Sequence, residues 1–577
     1  MNFGAAPEAA GEGTANMASH LGRAAAERPQ AIALKVPRGR DNGGDIDYFA
    51  LTFRELAGEV AAWSDRLTAA GIRPGDRTLV MVPPGLPLIA AVFALFSCGA
   101  VPVVIDPGMG LRNFLACVSS ARPRALVGVP IARLLSRVLR SAFRSLEVRV
   151  GASANLTARL TARQPSGARV ASPSAITRRP EDLAAVLFTS GSTGAPKGVC
   201  YEHGMFAAQV RLIRATYGIE PGEIDLPLLP IFALFNPALG MTTIVPEINP
   251  RRPASLDPEK IVQAIQQEHV TNSFGSPTLW RKIARHCRTH NIALPTLRRV
   301  LCAGAAVPAD LWDDARFVLP CGRLHSPYGA TEALPVSSVS AAEIDLSSVQ
   351  GACVGRPVAE VEIRIIATVD QPIASLEFAP PLPVGGIGEI VVRGPNITKQ
   401  YDALPDATAA AKIRDSADSA TAPEPDTLPD GVGRTSPGVW HRMGDCGYLD
   451  SDGRLWFCGR KAERVVTDHG TLYPEPCEQV FRLHPREARY ALVGLGAKGR
   501  QVPAIVVEAD VADTVQARAY ARELRALALQ HPHTATIRRF HFHPRFPVDV
   551  RHNAKIHRLA LARWAATAVG YEIDSPT

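Results

Sequence analysis

Residues 182–199 read DLAAVLFTSGSTGAPKGV, an apolar run that enters a glycine-rich loop with no spacer. DLAAVLF has the composition of a strand buried on both faces. FTSGSTGAPKGV (188–199) packs three glycines, one proline, four hydroxyl side chains and Lys197 into twelve positions, which suits neither a core nor a helix interior. Its hydroxyls and freed backbone N–H groups, with one cation beside them, suit a phosphate. The loop is not GxxxxGK[ST], because Pro196 precedes Lys197 and Gly198 follows it. A buried strand ending in such a loop points to an α/β sheet, whose ligands bind where strands end.

The flanking sequence agrees. From about Leu51 to Asp182, helical patterns alternate with the strands DRTLVMV, AVPVVID and RALVGV, the mark of a parallel sheet covered by helices. VTNSFGSP, RRVLCAGAAVP and RLHSPYGATE continue the α/β pattern, and EVEIRII and GEIVVRG are strand-rich. Residues 402–438, rich in Pro, Asp, Ala and Gly, read as a long exposed excursion. YLDSDGRLWFCGR reads as a hairpin turning at SDG. Past it, ALVGL, AIVVEAD and ARELRALALQ predict a smaller α+β domain. The expected division is a large α/β domain, 1–458, and a C-terminal domain, 459–577.

A chain of 577 residues is too long for one core, and 46% hydrophobic with 20% charged residues is ordinary globular material. The net charge of +8 is modest and scattered, and no RNP-like motif, zinc-finger spacing or basic tail points to nucleic acid. Ten cysteines without CxxC pairs suit reduced thiols in a cytoplasm. The N-terminal stretch lacks the basic start and apolar run of a signal peptide. Leu86 to Ile105 is the most membrane-like stretch, but Pro87, Gly99 and Pro102 make it a buried helix, a turn and a buried strand. GLGAKG (494–499) matches GxGxxG, yet a strand follows it, so it reads as a turn. A helix over Ile131–Arg144 is expected to align Arg133, Arg137, Arg140 and Arg144 on one face. That face is either solvated or a docking surface for an anionic membrane or acidic partner.

Four further stretches carry chemistry. SPYGATEA (326–333) ends in a hydroxyl and a carboxylate, Thr331 and Glu332. HRMGDCGYLD (441–450) sets Asp445 in what reads as a tight turn. CGRKAERV (458–465) puts Arg460 at the domain junction, and FPVDVRHNAKIHR (546–558) sets Lys555 near the C-terminus.

With the opening loop, and in this order, these stretches resemble the adenylate-forming superfamily of acyl-CoA synthetases, luciferases and peptide-synthetase adenylation domains, over about residues 20–565. The resemblance implies ATP and Mg²⁺ as cofactors. Thr189, Ser190, Gly191, Ser192, Thr193, Gly194 and Lys197 would cradle the β- and γ-phosphates. Tyr328, Gly329 and Gly304 would line the adenine pocket. Thr331 would bond the α-phosphate, Glu332 would bind Mg²⁺, and Asp445 with Arg460 would hold the ribose. Lys555 would reach the carboxylate and α-phosphate during adenylation. Two like charges meet in that step, which is why the site needs a metal and cations.

The sequence departs from CoA-using relatives at Ala233 (usually His), Ala462 (a hinge Asp or Lys), Met443 (usually Thr) and Asn553-Ala554 (usually Ser-Gly). IDPGMG, LPIFALFNPALGMT, FCGRKAERV and PVDVRHNAKIHR resemble the β-lactone synthetases of bacterial olefin biosynthesis. That resemblance implies activation of a long-chain β-hydroxy acid as its adenylate and ring closure by the acid's own hydroxyl. It also allows a complex with other enzymes of the pathway. The alternative is a synthetase charging CoA or a carrier protein after the same first step. A scaffold that only binds acyl-AMP is a weaker reading, because every nucleotide contact is present.

Overall fold

The computed structural model describes residues 15–152, 175–189, 195–249, 252–344, 348–415, 438–548 and 555–574. Contacts divide the chain into two units, Met1–Thr189 with Pro196–Glu223 and Pro230–Val245, and Ser190–Ala195 with Ile224–Leu229 and Pro246–Thr577.

In the first unit a helix, Ala18–Glu27, precedes an antiparallel pair, β1 (Ile32–Arg40) and β2 (Ile46–Thr52). Its main sheet is built from β3 (Arg77–Met81), β4 (Val101–Ile105), β5 (Ala125–Gly128), β6 (Val148–Gly151), β7 (Leu183–Thr189) and β8 (Lys197–Glu202). The strand order is β6-β5-β3-β4-β7-β8, parallel except at β8. Helix Leu86–Ser97 is buried on nearly every side, which explains a sequence apolar all round. It leads through a turn into β4, as the composition of that stretch requires. Among the described residues no helix is long and apolar enough to cross a membrane.

Next in the chain, β9 (Ile224–Pro227) belongs to the second unit and β10 (Thr242–Ile244) to the first, where it pairs in parallel with β1. The second unit continues with β11 (Asn272–Gly275), β12 (Arg299–Cys302), β13 (Arg323–Ala330), β14 (Ala333–Ser340) and β15 (Ala352–Pro357). Then come β16 (Glu362–Ile366), β17 (Gly388–Arg393), β18 (Lys412–Arg414), β19 (Val439–Leu449) and β20 (Leu455–Arg460). The strand order there is β16-β17-β19-β20-β15-β14-β13-β12-β11-β9, with β18 added beside β19. The β19–β20 turn is made as its residues dictate: Asp450 accepts from the amides of Asp452 (3.0 Å) and Arg454 (2.9 Å), and Gly453 supplies a φ of +72°.

After a small pair, β21 (Val465–Thr467) and β22 (Gly470–Leu472), the chain builds a separate sheet from β23 (Tyr490–Leu495), β24 (Val502–Glu508), β25 (Arg539–His543) and β26 (Tyr571–Glu572). The period of two in its strands feeds two cores. Tyr490, Leu492, Ile505 and Val507 pack on helices Pro474–Arg482 and Thr514–Leu529. Ala491, Val493, Ala504 and Val506 pack on helix Arg558–Ala565. GLGAKG supplies the last two residues of β23 and the start of the turn to β24.

Three expectations are corrected. The helix expected over Ile131–Arg144 runs only from Pro130 to Val138. Beyond it Ala142, Phe143 and Leu146 turn into the core under β3, β4 and β5, so burial overrides local helix propensity. The four arginines therefore share no helix face. The excursion over 402–438 is partly regular, since Pro405–Ala411 is a helix and β18 pairs with β19; residues 416–437 lie outside the described residues. Asp445 is not in a tight turn but inside the eleven-residue strand β19. Gly444, with φ +68°, and a register shift after Cys446 let the strand bend, while pairing with β17 and β20 holds it extended.

Candidate active site

The β13–β14 hairpin carries SPYGATEA. Its register pairs Tyr328 with Ser337 and Ala330 with Ala333, leaving Thr331 and Glu332 as a two-residue, half-buried tip. A Cβ on Gly329 would stand 2.5 Å from the Ala333 carbonyl oxygen, so only glycine fits there. β12 lies beside β13 with Leu301 opposite His325. Gly304 follows two residues after the end of β12, at φ +98°.

Asp445 sits opposite Arg460 in the β19–β20 ladder and is 3% exposed. Its Oδ2 accepts a 2.6 Å hydrogen bond from the Tyr328 hydroxyl, and Arg460 Nη1 is 2.8 Å from its Oδ1. Oδ1 has an ion-pair partner but no hydrogen-bond donor of good geometry among the described residues. Burial lifts the Asp445 carboxyl above its ordinary range, and Arg460, the Tyr328 hydroxyl and Lys555 oppose that lift. Burial and the Asp445 charge push the Tyr328 phenol well up, so it stays a donor. Arg460 is held charged above all by Asp445, with Tyr328, Glu463 and Glu332 adding to it. Lys555 is exposed, and its charge reaches Asp445. Five residues singled out in the sequence, Tyr328, Glu332, Asp445, Arg460 and Lys555, thus form one electrostatic group.

The structure adds residues that the sequence did not flag. Tyr401 donates to Glu332 Oε1 at 2.8 Å. Thr398 donates to the Glu332 carbonyl through its amide (2.9 Å) and its hydroxyl (3.1 Å). Lys412 is buried, with Nζ bonded to the Thr398 carbonyl and 3.3 Å from its hydroxyl. Burial lowers its pKa to about 7, against the pull of Glu332. None of the three stood in a recognisable motif, and Lys412 lay in the stretch read as an excursion. A fourth is Arg558, which binds Glu478 through two bonds and Glu463 through one (3.1 Å). Its place three residues after Lys555 was the available signal.

In the first unit, β7 and β8 pair antiparallel with Thr189 opposite Lys197. Lys197 is half-buried at the start of β8. Ser190, Gly191, Ser192, Thr193 and Gly194 lie outside the described residues, as do Asn553 and Ala554. Ala233 is buried in a short helical turn, Pro230–Leu234, and Met443 is buried in β19. Ala462 is exposed in the turn that follows Arg460. All ten cysteines are free thiols.

A family model described as "AMP-binding enzyme" matches residues 21–402. An "Olefin beta-lactone synthetase" of Stenotrophomonas maltophilia (strain K279a) is 44% identical over 564 residues, covering 96% of this chain and 98% of that protein. Its counterpart in Xanthomonas campestris pv. campestris is 43% identical over 563 residues, covering 96% and 97%. The solved structure of the amide bond synthetase McbA from Marinactinospora thermotolerans matches with a TM-score of 0.71 at 24% identity, covering 96% of this chain and 99% of that one, a likeness of fold. The chain belongs to the AMP-binding enzyme family.

Proposed function

We propose that the protein is an ATP-dependent, AMP-forming β-lactone synthetase acting on a long-chain β-hydroxy acid. The observation that carries this reading is full-length similarity to two olefin β-lactone synthetases, together with the Tyr328–Asp445–Arg460 constellation. In the first step a carboxylate oxygen of the acid bonds to the α-phosphorus of ATP, and pyrophosphate leaves. In the second, the acid's β-hydroxyl oxygen bonds to the acyl carbon, loses its proton, and AMP leaves.

Each residue has a task in this scheme. Asp445 accepts from the ribose hydroxyls with its Oδ1, beside Arg460. Tyr328 fixes Asp445 and packs against the adenine. Lys197 and the loop 189–194 grip the departing pyrophosphate through backbone and hydroxyl donors. Lys555, a point charge on a flexible stem, neutralises the carboxylate and α-phosphate as they meet. Residues 459–577 then serve as the mobile part that brings Lys555 in.

Among the described residues, no three His, Cys, Asp or Glu side chains converge as a metal cage. Glu332, with one oxygen held by Tyr401, fits the arrangement in which one carboxylate and the phosphates hold Mg²⁺. Mg²⁺ there supplies neutralisation of the triphosphate charge. We also propose that the protein meets its water-insoluble acid at a membrane surface, beside other enzymes of the same pathway.

Ala233 and Ala462 stand where CoA synthetases use other residues, and an internal hydroxyl needs no second substrate. Well-oriented intramolecular attack reaches effective molarities of about 10⁵ M or more, which offsets part of the ring strain. The test is mass spectrometry of products from a long β-hydroxy acid, ATP and Mg²⁺, with and without CoA. The expected products are β-lactone, AMP and pyrophosphate without CoA. A CoA-dependent thioester and no lactone would overturn the proposal.

A further inference from the structure

Helix Pro130–Val138 is amphipathic in the opposite sense to an ordinary surface helix. The side facing the sheet is small: Ala132 and Ser136 are buried. Ser136 is held there by donating to the Arg133 carbonyl (2.8 Å) and accepting from Arg149 Nε (3.0 Å). The aliphatic side chains point the other way, with Ile131 57%, Leu134 54%, Leu135 37% and Val138 68% exposed. At roughly 100° per residue these four make one continuous stripe about 100° wide. Arg137 borders that stripe on the side of Leu134, and Arg140, which donates to the Arg137 carbonyl at 3.2 Å, is exposed just past the helix end. Arg144 is exposed one turn further on, while Arg133 folds back over Gly151 and does not belong to this surface.

A second apolar and basic pair leaves the same edge of the sheet. β4 and β5 both run parallel to β3, so the helices that follow them start from one edge. The helix after β4, Leu111–Ala121, begins with Leu111 63% exposed and Arg112 exposed beside it. Both connections pack on one face, since Phe114, Cys117 and Val118 share a core with Ala142, Phe143 and Leu146.

Charge identifies what this surface meets. From Val129 to Ala152 the chain carries five arginines and a single acidic residue, Glu147. Glu147 is itself taken up by Arg124 Nε at 2.7 Å. An exposed aliphatic stripe bordered by arginines, in a stretch nearly free of carboxylates, matches an interface of anionic headgroups over acyl chains. At about 1.5 Å per residue the helix is too short to span a bilayer, and it lies flat.

We propose that helix Pro130–Val138, with Arg137, Arg140, Arg144 and the Leu111–Arg112 corner, docks the protein on an anionic lipid surface. The use of such docking rests on the proposed long-chain substrate. Docking itself is a property of the surface and is measured without ATP or acid, so loss of lactone formation would leave it standing. A single short helix gives reversible binding that is sensitive to salt.

The test is co-sedimentation of the full-length protein with vesicles of phosphatidylglycerol and phosphatidylcholine, against vesicles of phosphatidylcholine alone. Binding to the anionic vesicles is expected, weakening as salt rises, with at least a tenfold loss in L134S/V138S and in R137E/R140E. Both variants should keep the wild-type melting temperature, which shows that they fold. Wild-type protein that stays in the supernatant, or variants that bind as well as wild type, would overturn the proposal. So would a wild-type dimer by gel filtration that L134S/V138S converts to monomer, because a second copy would then be what covers the stripe.

Discussion

Arg558 grips Glu478 with two parallel charge-assisted bonds, Nε to Oε1 at 2.7 Å and Nη2 to Oε2 at 2.8 Å. Glu478 is fully buried and also accepts from the Leu492 amide at 3.0 Å. The third guanidinium nitrogen of Arg558 reaches Glu463, the last residue of the turn that holds Ala462. Lys555 stands three residues before this clamp. The pair therefore anchors the lysine segment both to its own small sheet and to the start of the C-terminal region.

Removing Arg558 leaves the buried Glu478 with only its longer contact to Arg482 (3.3 Å), and takes the cation from half-buried Glu463. Arg558→Ala should lower stability by on the order of 3 kcal/mol and also slow pyrophosphate release. Lys555→Ala, by contrast, removes an exposed side chain and should leave the melting temperature nearly unchanged while suppressing pyrophosphate release. Calorimetry and a pyrophosphate assay on both variants check this. Normal pyrophosphate release by Lys555→Ala would remove that residue from the adenylation step.

Tyr328→Phe deletes the one hydrogen-bond donor to Asp445 Oδ2 among the described residues and leaves a buried carboxylate short of a partner. The cost is about 1–3 kcal/mol, divided between folding and nucleotide affinity. The expected reading is a higher KM for ATP with a smaller change in kcat, measured by ATP–pyrophosphate exchange.

Glu332→Gln should weaken Mg²⁺-dependent turnover by about two to three decades, because the charge opposite the metal and phosphates is lost. Tyr401→Phe keeps the carboxylate but frees it to rotate, so it should raise the Mg²⁺ requirement with a smaller fall in maximal rate. Lys197→Ala should act on ATP use. A titration of rate against Mg²⁺ separates the three. Wild-type curves for Glu332→Gln and Lys197→Ala together would remove both from the triphosphate site.

Lys412 provides a pH prediction with a definite sign. Burial lowers its pKa from 10.5 to about 7 in the folded protein. Between those values the unfolded chain holds more protons than the folded one, so stability rises as pH rises from about 7 toward 10.5. The slope from this residue approaches 1.4 kcal/mol per pH unit. Thermal unfolding at pH 7 and pH 9 should show wild type gaining stability relative to Lys412→Met. Parallel changes in the two proteins would mean that the ammonium is not buried as described.

Local sequence was enough wherever a residue's neighbours along the chain set its environment. DRTLVMV, AVPVVID, RALVGV and DLAAVLF are strands because continuous apolar runs of that length are satisfied only inside a covered sheet. Thr331 and Glu332 share a hairpin tip because Gly329 allows the close turn before them. The order of the motif stretches marked the family, and with it singled out Tyr328, Asp445, Arg460 and Lys555, although they are spread over more than two hundred residues.

What escaped was set by contacts between distant segments. Asp445 lies in a strand because β17 and β20 pair with its backbone, which outweighs the turn preference of Gly444-Asp445. The helix expected to Arg144 stops at Val138 because Phe143 and Leu146 gain more from the core than from another helical turn. Lys412 looks like any solvated lysine in sequence, and its burial behind Glu332 depends on β18 pairing with β19. The outward stripe of helix Pro130–Val138 has the same origin. Periodicity shows that the helix has an apolar side, but only packing decides which side meets the sheet, and here small Ala132 and Ser136 fit where the aliphatic side chains would not.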